Sequence, residues 1–314
     1  MLGRVLGGIS TSLFFATFEC WMVAEHRRCG FGEELLRYMF GLMFSVQYLA
    51  AIGAGLVAQA AASVVPLTRL SASSSWHYGG YTAPFDISLA CLLLAIPAIQ
   101  MSWTENYGNN KAGAAGTGIA ASLRAGARAM GSSWQVPILG LAVATFEGSM
   151  YCFVFNWTPA LDAGGGLPPP HGLIFSSFMM ACMCGSSFFG MLDSSYRPVK
   201  VLLPVILTAA AALGLTALSL ARGSTSNGAV FAGFLIFEAC VGAYFPCVGT
   251  VKSEVVPEEA RAGVYNVYRV PLNAFVIFLL LTDISPATQF GACCCLLSVA
   301  AGAVWLLGRV EQTR

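Results

Sequence analysis

Residues 136–158, VPILGLAVATFEGSMYCFVFNWT, contain a single charged side chain, Glu147, among apolar and uncharged residues. A helix needs about 20 consecutive, mostly apolar residues to cross the hydrocarbon core of a bilayer. This stretch is long enough and apolar enough to meet that requirement. It therefore predicts a membrane-spanning helix that carries an acid within its span.

The composition of the whole chain agrees with this interpretation. Of the 314 residues, 57% are hydrophobic and 10% are charged, and the mean hydropathy is +0.71. A soluble domain has about 25% charged residues, and one this apolar would expose large apolar patches that lipid instead accepts. We therefore predict an all-α polytopic membrane protein. The net charge of +1 and the absence of basic runs give no reason to expect a nucleic-acid partner.

Segments of spanning length recur along the chain, separated by gaps rich in Pro and Gly. We predict nine spans, at approximately 2–23, 38–64, 86–103, 136–158, 171–192, 200–221, 229–250, 264–282 and 288–308. With residues 24–37 in the cytosol, most of the 16 cations fall in cytosolic segments, and the outside loops hold Arg69 and Arg222. The positive-inside rule then predicts an exoplasmic N-terminus and a cytosolic tail at 309–314.

One long polar connection divides the spans into three and six. Residues 104–135 are rich in Gly and Ala and carry cations, which predicts a flexible cytosolic linker. The predicted domains are a partial N-terminal bundle (1–103) and a six-helix C-terminal bundle (136–308). Most cysteines lie in apolar runs, where they behave as small hydrophobes, so we expect no metal and no cofactor.

Three glutamates lie within predicted spans, each directly after a Phe: Glu19, Glu147 and Glu238. They recur every third helix, which is typical of internal structural repeats. A charge at the centre of a span costs about 2.5–3.5 kcal/mol, so one hypothesis places these acids around a wet cavity for proton coupling or substrate contact. The alternative is that each acid pairs with an Arg or hydrogen-bonds to a neighbouring helix as part of the packing.

The eighth span carries a second polar group. Asn266, Arg269 and Asn273 follow i, i+3, i+7 spacing and share one helical face. The guanidinium offers a fixed fork of donors that suits a tetrahedral oxyanion. The alternative is an ion pair between Arg269 and Glu238 or Glu254.

Two polar residues of the first span, Arg4 and Ser12, are further candidates for contact with a substrate. Ser12 lies seven residues before Glu19 and therefore shares a helical face with it. The alternative for Ser12 is a hydrogen bond to a carbonyl of its own helix.

Five ordered blocks carry a resemblance to a known family. They are GRVLGGISTSLFFATFECWMVAEH (3–26), FEGSMYCFVFNWTPALD (146–162), GLIFSSFMMACMCGSS (172–187), FEACVGAYFPCVGT (237–250) and RAGVYNVYRVPLN (261–273). These blocks resemble the major facilitator superfamily, and within it the molybdate-anion transporter family. The resemblance implies a fold of twelve helices in two bundles, of which this chain matches helices four to twelve, so we expect the first three helices to be missing.

The resemblance also implies positions and roles. The three Phe-Glu spans correspond to family helices four, seven and ten, which line the central cavity, and Arg269 falls on helix eleven. We therefore expect a secondary transporter of molybdate or a similar small oxyanion that works by alternating access, with a proton as candidate coupling ion. Arg269, Asn266 and Asn273, with Arg4 and Ser12, would hold the anion, and the three glutamates would carry the proton.

Other functions stay open at this point. The same fold could move a sugar or another organic solute, or the chain could be a membrane scaffold or sensor that transports nothing. The sequence contains no nucleotide-binding loop of the G-x-x-x-x-G-K-[ST] type and no hydrolase motif, so we expect neither ATP-driven transport nor an enzyme. We expect a monomer in the plasma membrane.

Overall fold

The computed structural model describes residues 3, 6–7, 10, 18, 21–22, 25–26, 28–72, 74–105, 119–162, 169–192, 197–222, 227–256 and 261–311. Within these ranges the chain is almost entirely helical. The helices are α1 (Glu33–Val64), α2 (Ala83–Ser102), α3 (Ile119–Ser132), α4 (Gln135–Asp162), α5 (His171–Met191), α6 (Pro198–Ala221), α7 (Asn227–Val255), α8 (Arg261–Leu281) and α9 (Pro286–Glu311).

Between α1 and α2 lies a short β-hairpin. Its strands, β1 (Thr68–Arg69) and β2 (His77–Tyr78), are antiparallel, with Thr68 opposite Tyr78. A 3-10 turn at Gly80–Thr82 leads into α2. All four hairpin residues are exposed, so this element contributes nothing to a core.

Eight helices in the described residues are long and apolar enough to cross a membrane. They correspond to the eight predicted spans between residues 38 and 308, and the prediction of an all-α polytopic membrane protein is confirmed. The ninth predicted span, 2–23, lies mostly outside the described residues. Five spans contain an internal proline (Pro97, Pro159, Pro204, Pro246 and Pro271), which membrane helices tolerate because neighbouring groups satisfy the freed carbonyls.

The predicted linker differs from expectation in its second half. Residues 119–132 form α3, which packs closely on α8: a Cβ added to Gly126 would lie 2.4 Å from the carbonyl carbon of Gly263. Arg124 and Arg128, one turn apart, are exposed, whereas Ala129 is buried. The expectation of a flexible connection throughout 104–135 is therefore wrong for this part. The Gly and Ala content that indicated flexibility also permits close helix packing.

The chain forms two compact units, one of residues 1–47 and 60–116 and the other of residues 48–59 and 117–314. In the first unit the indole of Trp21 stacks on Trp103 with ring centroids 3.9 Å apart, and its N–H donates to the carbonyl of Thr104 (3.0 Å). Near this contact the Arg28 guanidinium donates a hydrogen bond to Glu25 (2.9 Å), which raises the pKa of Arg28. The predicted boundaries at 103 and 136 stay a prediction.

The second unit has an extensive aromatic core. In this unit α7 packs against α5 and α6, α9 against α4 and α6, and α8 against α3 and α4. Phe146 and Phe237, the phenylalanines of two Phe-Glu pairs, are both fully buried and their ring centroids are 6.2 Å apart. The two repeated motifs therefore meet through their aromatic residues.

Candidate functional site

Glu147 lies near the middle of the 28-residue helix α4 and forms an ion pair. Its Oε1 is 3.3 Å from Nζ of Lys252, in the last turn of α7, and the two side chains are 19% and 16% exposed. The ammonium group of Lys252 also lies 5.3 Å from the ring centre of Tyr265 on α8. Side chains from three helices therefore converge around one partly buried ion pair.

A buried tyrosine adds a polar group to this cluster. Tyr244 of α7 is 1% exposed, and its ring stacks on Phe146 with centroids 3.8 Å apart. Its hydroxyl faces the Glu147 carboxylate and interacts with it. Buried hydroxyl groups in native proteins normally have a polar partner, and for Tyr244 that group is Glu147.

Glu238 occupies a different environment, at the crossing of α5 and α7. Its Oε2 accepts a hydrogen bond from the thiol of Cys182 at 2.8 Å, and its side chain is buried. The crossing is tight, because a Cβ on Gly242 would lie 1.9 Å from the carbonyl oxygen of Cys182. Glu238 thus follows the alternative in which the acid hydrogen-bonds to a neighbouring helix.

The polar face of α8 is open. Asn266, Arg269 and Asn273 are all exposed, as expected for residues on one helical face. Arg269 forms no ion pair with any residue that the structure describes. The alternative in which Arg269 pairs with Glu238 is therefore wrong for this structure, since the partner of Glu238 is Cys182.

Three of the predicted site residues, Arg4, Ser12 and Glu19, lie outside the described residues. The structure therefore tests none of the contacts predicted for the first span.

A cavity of about 390 Å³ opens elsewhere in the second unit, between α3, α4, α8 and α9. Its lining is mostly apolar, with Met130, Leu141, Phe275 and Leu296 among the contributors, and it includes neither Glu147 nor Glu238. This cavity consequently offers little to recognise a charged solute.

Lys252 is the functional candidate that the sequence analysis missed. It lies just beyond the predicted span 229–250, so the positive-inside rule assigns its charge to the cytosol. Its flexible apolar stem lets the charged group extend away from the backbone position, as lysine side chains near membrane interfaces do. The sequence around Lys252 gives no sign of its contact with Glu147, which lies 105 positions earlier in the chain.

A second polar contact that the sequence analysis missed joins α4 and α9. The amide of Asn156 donates to Oε1 of Gln289 at 2.8 Å, and Gln289 donates to the carbonyl of Ile284 at 2.7 Å. Both amides are buried and have partners. The signal that could have found them is the occurrence of two amides inside predicted spans, where an unsatisfied polar group is costly.

Acids within membrane-spanning helices are rare and often mark a pathway for a substrate, an ion or a proton. In line with this, the sequence profile of a family described as sugar transporters with 12 transmembrane segments matches residues 1–244. The chain therefore belongs to the major facilitator superfamily, which consists of transporters and not of enzymes.

Curated relatives narrow the family further. The molybdate-anion transporter of Xenopus tropicalis is 34% identical over 277 residues, which cover 86% of this chain and 56% of that protein. The molybdate-anion transporter of Danio rerio is 34% identical over 295 residues, covering 87% of this chain and 58% of that protein. The similarity to molybdate-anion transporters that the five blocks predicted is confirmed. The chain spans somewhat more than half the length of these relatives.

Proposed function

We propose that this chain acts in the secondary active transport of molybdate, or a similar small tetrahedral oxyanion, by alternating access. The observation that carries the proposal is the 32–34% identity to molybdate-anion transporters of four vertebrates. The open face of α8 supports it, because Arg269 has no counter-ion among the described residues and is exposed. An exposed guanidinium without a carboxylate partner is free to bind an anion.

In this mechanism Arg269 binds two oxygens of the anion through its fork of N–H donors. The amides of Asn266 and Asn273 lie on the same face and donate to the remaining oxygens. Arg4 and Ser12 of the first predicted span complete the substrate contacts. The protein functions as a monomer in the plasma membrane, with its C-terminus in the cytosol.

The proton is carried by the acids of the Phe-Glu motifs. Glu147 is the strongest candidate, because it is partly exposed and its partner is a cation that an anion could engage. Glu238, bonded to a thiol in a tight helix crossing, and Glu19 are the other members of this set.

Uptake of radiolabelled molybdate into cells that express the chain tests the proposal. We expect uptake above that of untransfected cells, and a loss of at least about tenfold in Arg269→Gln, since the site loses a charge-assisted hydrogen-bond donor worth roughly 1.5–3 kcal/mol. Arg222→Gln, at an exposed arginine just after α6, is the matched control and retains uptake. No uptake above background would reject the proposed substrate.

A second cargo is favoured by one observation: the matching family is described as sugar transporters. Exposed aromatic residues of α4, Tyr151 and Phe155, could stack on a sugar ring. A competition assay distinguishes the two cargoes. If the substrate is an oxyanion, sulfate and tungstate reduce molybdate uptake and hexoses do not. The opposite pattern would favour the sugar.

Capture of a protein partner without any uptake would favour the scaffold alternative.

A further inference from the structure

The ion pair between Glu147 and Lys252 differs from the other two ion pairs in the described residues. Those join Arg28 to Glu25 and His171 to Asp162, at positions outside spans or at their ends. Glu147 instead lies near the middle of the span Gln135–Asp162, and its partner Lys252 is the last residue of the span Gly228–Lys252. Placing the charge of Glu147 within a span is costly and needs a compensating reason, either structural or functional.

We propose that Glu147 and Lys252 form one exchange site, in which Lys252 binds the transported oxyanion and Glu147 accepts the coupling proton. The proposal rests on the proposed function and assigns its coupling step to named atoms. A proton that binds to Glu147 neutralises the carboxylate and releases the Lys252 ammonium group for the anion.

Two features of the cluster support exchange over a fixed structural contact. The two side chains are partly exposed, and a single nitrogen–oxygen distance of 3.3 Å joins them, so neither charge is fully enclosed. The buried Tyr244 hydroxyl faces the Glu147 carboxylate, and because a hydroxyl can both donate and accept, it can contact the acid in either protonation state.

The charges of the site explain why proton and anion bind together. In the empty state the Glu147 carboxylate and the Lys252 ammonium cancel, and an approaching oxyanion is repelled by the carboxylate. After a proton from the water phase has bound to Glu147, the ammonium charge is uncompensated and attracts the anion. When the proton leaves on the other side of the membrane, the carboxylate again competes for Lys252 and the anion is expelled.

The proposal gives a second cation, Arg269, a share in binding the doubly charged anion. Arg269 follows Tyr265 by four residues, which places it about one helical turn further along the same face of α8. The Lys252 ammonium lies over the Tyr265 ring. Lys252 and Arg269 together balance the two negative charges of molybdate once Glu147 is neutral.

The helices packed against α4 present few other groups that could titrate. From α7 these are Tyr244 and Lys252, and α8 contributes Tyr265 beside the ammonium. On α8, Tyr268 already donates its hydroxyl proton to the carbonyl of Val136 at 2.6 Å. On α9, the Cys293 thiol contacts Cys152 and Ser149 of α4. On α3, the described arginines Arg124 and Arg128 are exposed. Among the described residues, Lys252 is the cation paired with Glu147.

Binding of radiolabelled molybdate to the purified chain in detergent, at about pH 5.5 and about pH 7.5, tests the proposal. We expect the wild-type Kd to rise by at least about tenfold between these pH values, because one proton is taken up with each anion. Glu147→Gln imitates the protonated acid and binds at both pH values at least as tightly as the wild type does at the lower pH. Lys252→Gln loses binding at both, and Lys252→Arg restores it.

Matched controls are Asp283→Asn and Lys200→Gln, which remove exposed charges outside the cluster and retain the wild-type pH dependence. Size-exclusion profiles and thermal unfolding report whether each variant is folded, and Lys252→Arg keeps the charge if Lys252→Gln does not fold. Undiminished pH dependence in Glu147→Gln, or wild-type binding by Lys252→Gln, would overturn the exchange site alone. A wild type that binds no oxyanion at either pH would overturn the proposed function as well.

Discussion

Phe146 and Phe237 are fully buried, and each directly precedes a glutamate. Successive residues of an α-helix point about 100° apart, so burial of the Phe turns the following Glu towards the edge of the core. The two acids nevertheless meet different partners: Lys252 contacts Glu147, and Cys182 contacts Glu238. The same dipeptide therefore provides an ion pair in one repeat and a thiol hydrogen bond in the other.

Asn156 and Gln289 illustrate how a polar pair is stabilised within the spans. We expect Asn156→Leu to lower the free energy of unfolding by about 1–2 kcal/mol, because the Gln289 oxygen loses its amide donor and keeps only the weak thiol donor of Cys152 at 3.6 Å. Gln289→Leu acts in the same direction. The double variant lowers the free energy of unfolding by less than the sum of the two single changes, since neither amide then remains unpaired.

Thermal or denaturant unfolding in detergent measures this double-mutant cycle. Ser298→Ala, which removes a hydroxyl bonded to its own helix at the exposed side of α9, is a suitable control with little expected effect. Strictly additive changes at Asn156 and Gln289 would show that the amide contact contributes nothing.

At the scale of whole elements, glycines determine which helices come into backbone contact. Gly185 of α5 and Gly242 of α7 leave no room for a Cβ: the added atom would lie 1.8 Å from the carbonyl oxygen of Ala239 and 1.9 Å from that of Cys182, respectively. This close approach places the Cys182 thiol against the Glu238 carboxyl group. The environment of the acid is thus a consequence of the helix crossing.

Gly242→Ala is expected to destabilise the chain by about 1–3 kcal/mol, because α5 and α7 must separate to admit the methyl group. Gly249→Ala lies on the same helix, where nothing would be within 4 Å of the new Cβ, and is expected to be neutral or stabilising. Melting temperatures of the two purified variants provide the comparison. Equal melting temperatures would contradict the close crossing.

Helix α1 contacts α5 in a similar way within the second unit. The Gln59 side-chain oxygen accepts a hydrogen bond from the Gly172 N–H at 3.0 Å, and Ser176 donates to the carbonyl of Ile52 at 2.9 Å. A Cβ on Gly55 would lie 2.3 Å from Oγ of Ser176.

Gly55→Ala should weaken this contact, because the methyl group displaces Ser176 from its hydrogen bond with Ile52. We expect molybdate uptake to fall by roughly tenfold at unchanged surface expression. This is the change in rate that corresponds to the loss of one interaction of about 1.4 kcal/mol. Gly53→Ala, with nothing within 4 Å of its added Cβ, is the control on the same helix. Equal uptake by both variants would show that the contact between α1 and α5 does not limit transport.

At the scale of the whole molecule, the distribution of cations predicts how the chain is inserted. The stretches before α4, before α6 and after α9 carry cations, and the positive-inside rule places all of them in the cytosol. An epitope fused to the C-terminus is therefore expected to bind antibody after permeabilisation and not on intact cells. Staining of intact cells would show that the predicted topology is inverted. The end of α7 that carries Lys252 would then face the outside of the cell.

Local hydropathy was sufficient to predict eight spans, because the energy of placing about 20 apolar residues in lipid depends on the segment itself. For the same reason Glu147 and Glu238 could be recognised as acids inside spans, and the ordered sequence blocks were enough to identify the family. Their partners could not be predicted, since Lys252 is 105 positions from Glu147 and Cys182 is 56 positions from Glu238.

The sequence by itself thus determined the membrane class, the spans and the family of this protein. The tertiary structure alone decided that Lys252 extends to Glu147, that Glu238 is enclosed by the crossing of α5 and α7, and that α3 packs on α8. The physical reason is that insertion in lipid is a property of each segment, whereas the environment of a charge depends on which helices approach it. Those approaches are set by packing between residues far apart in the chain.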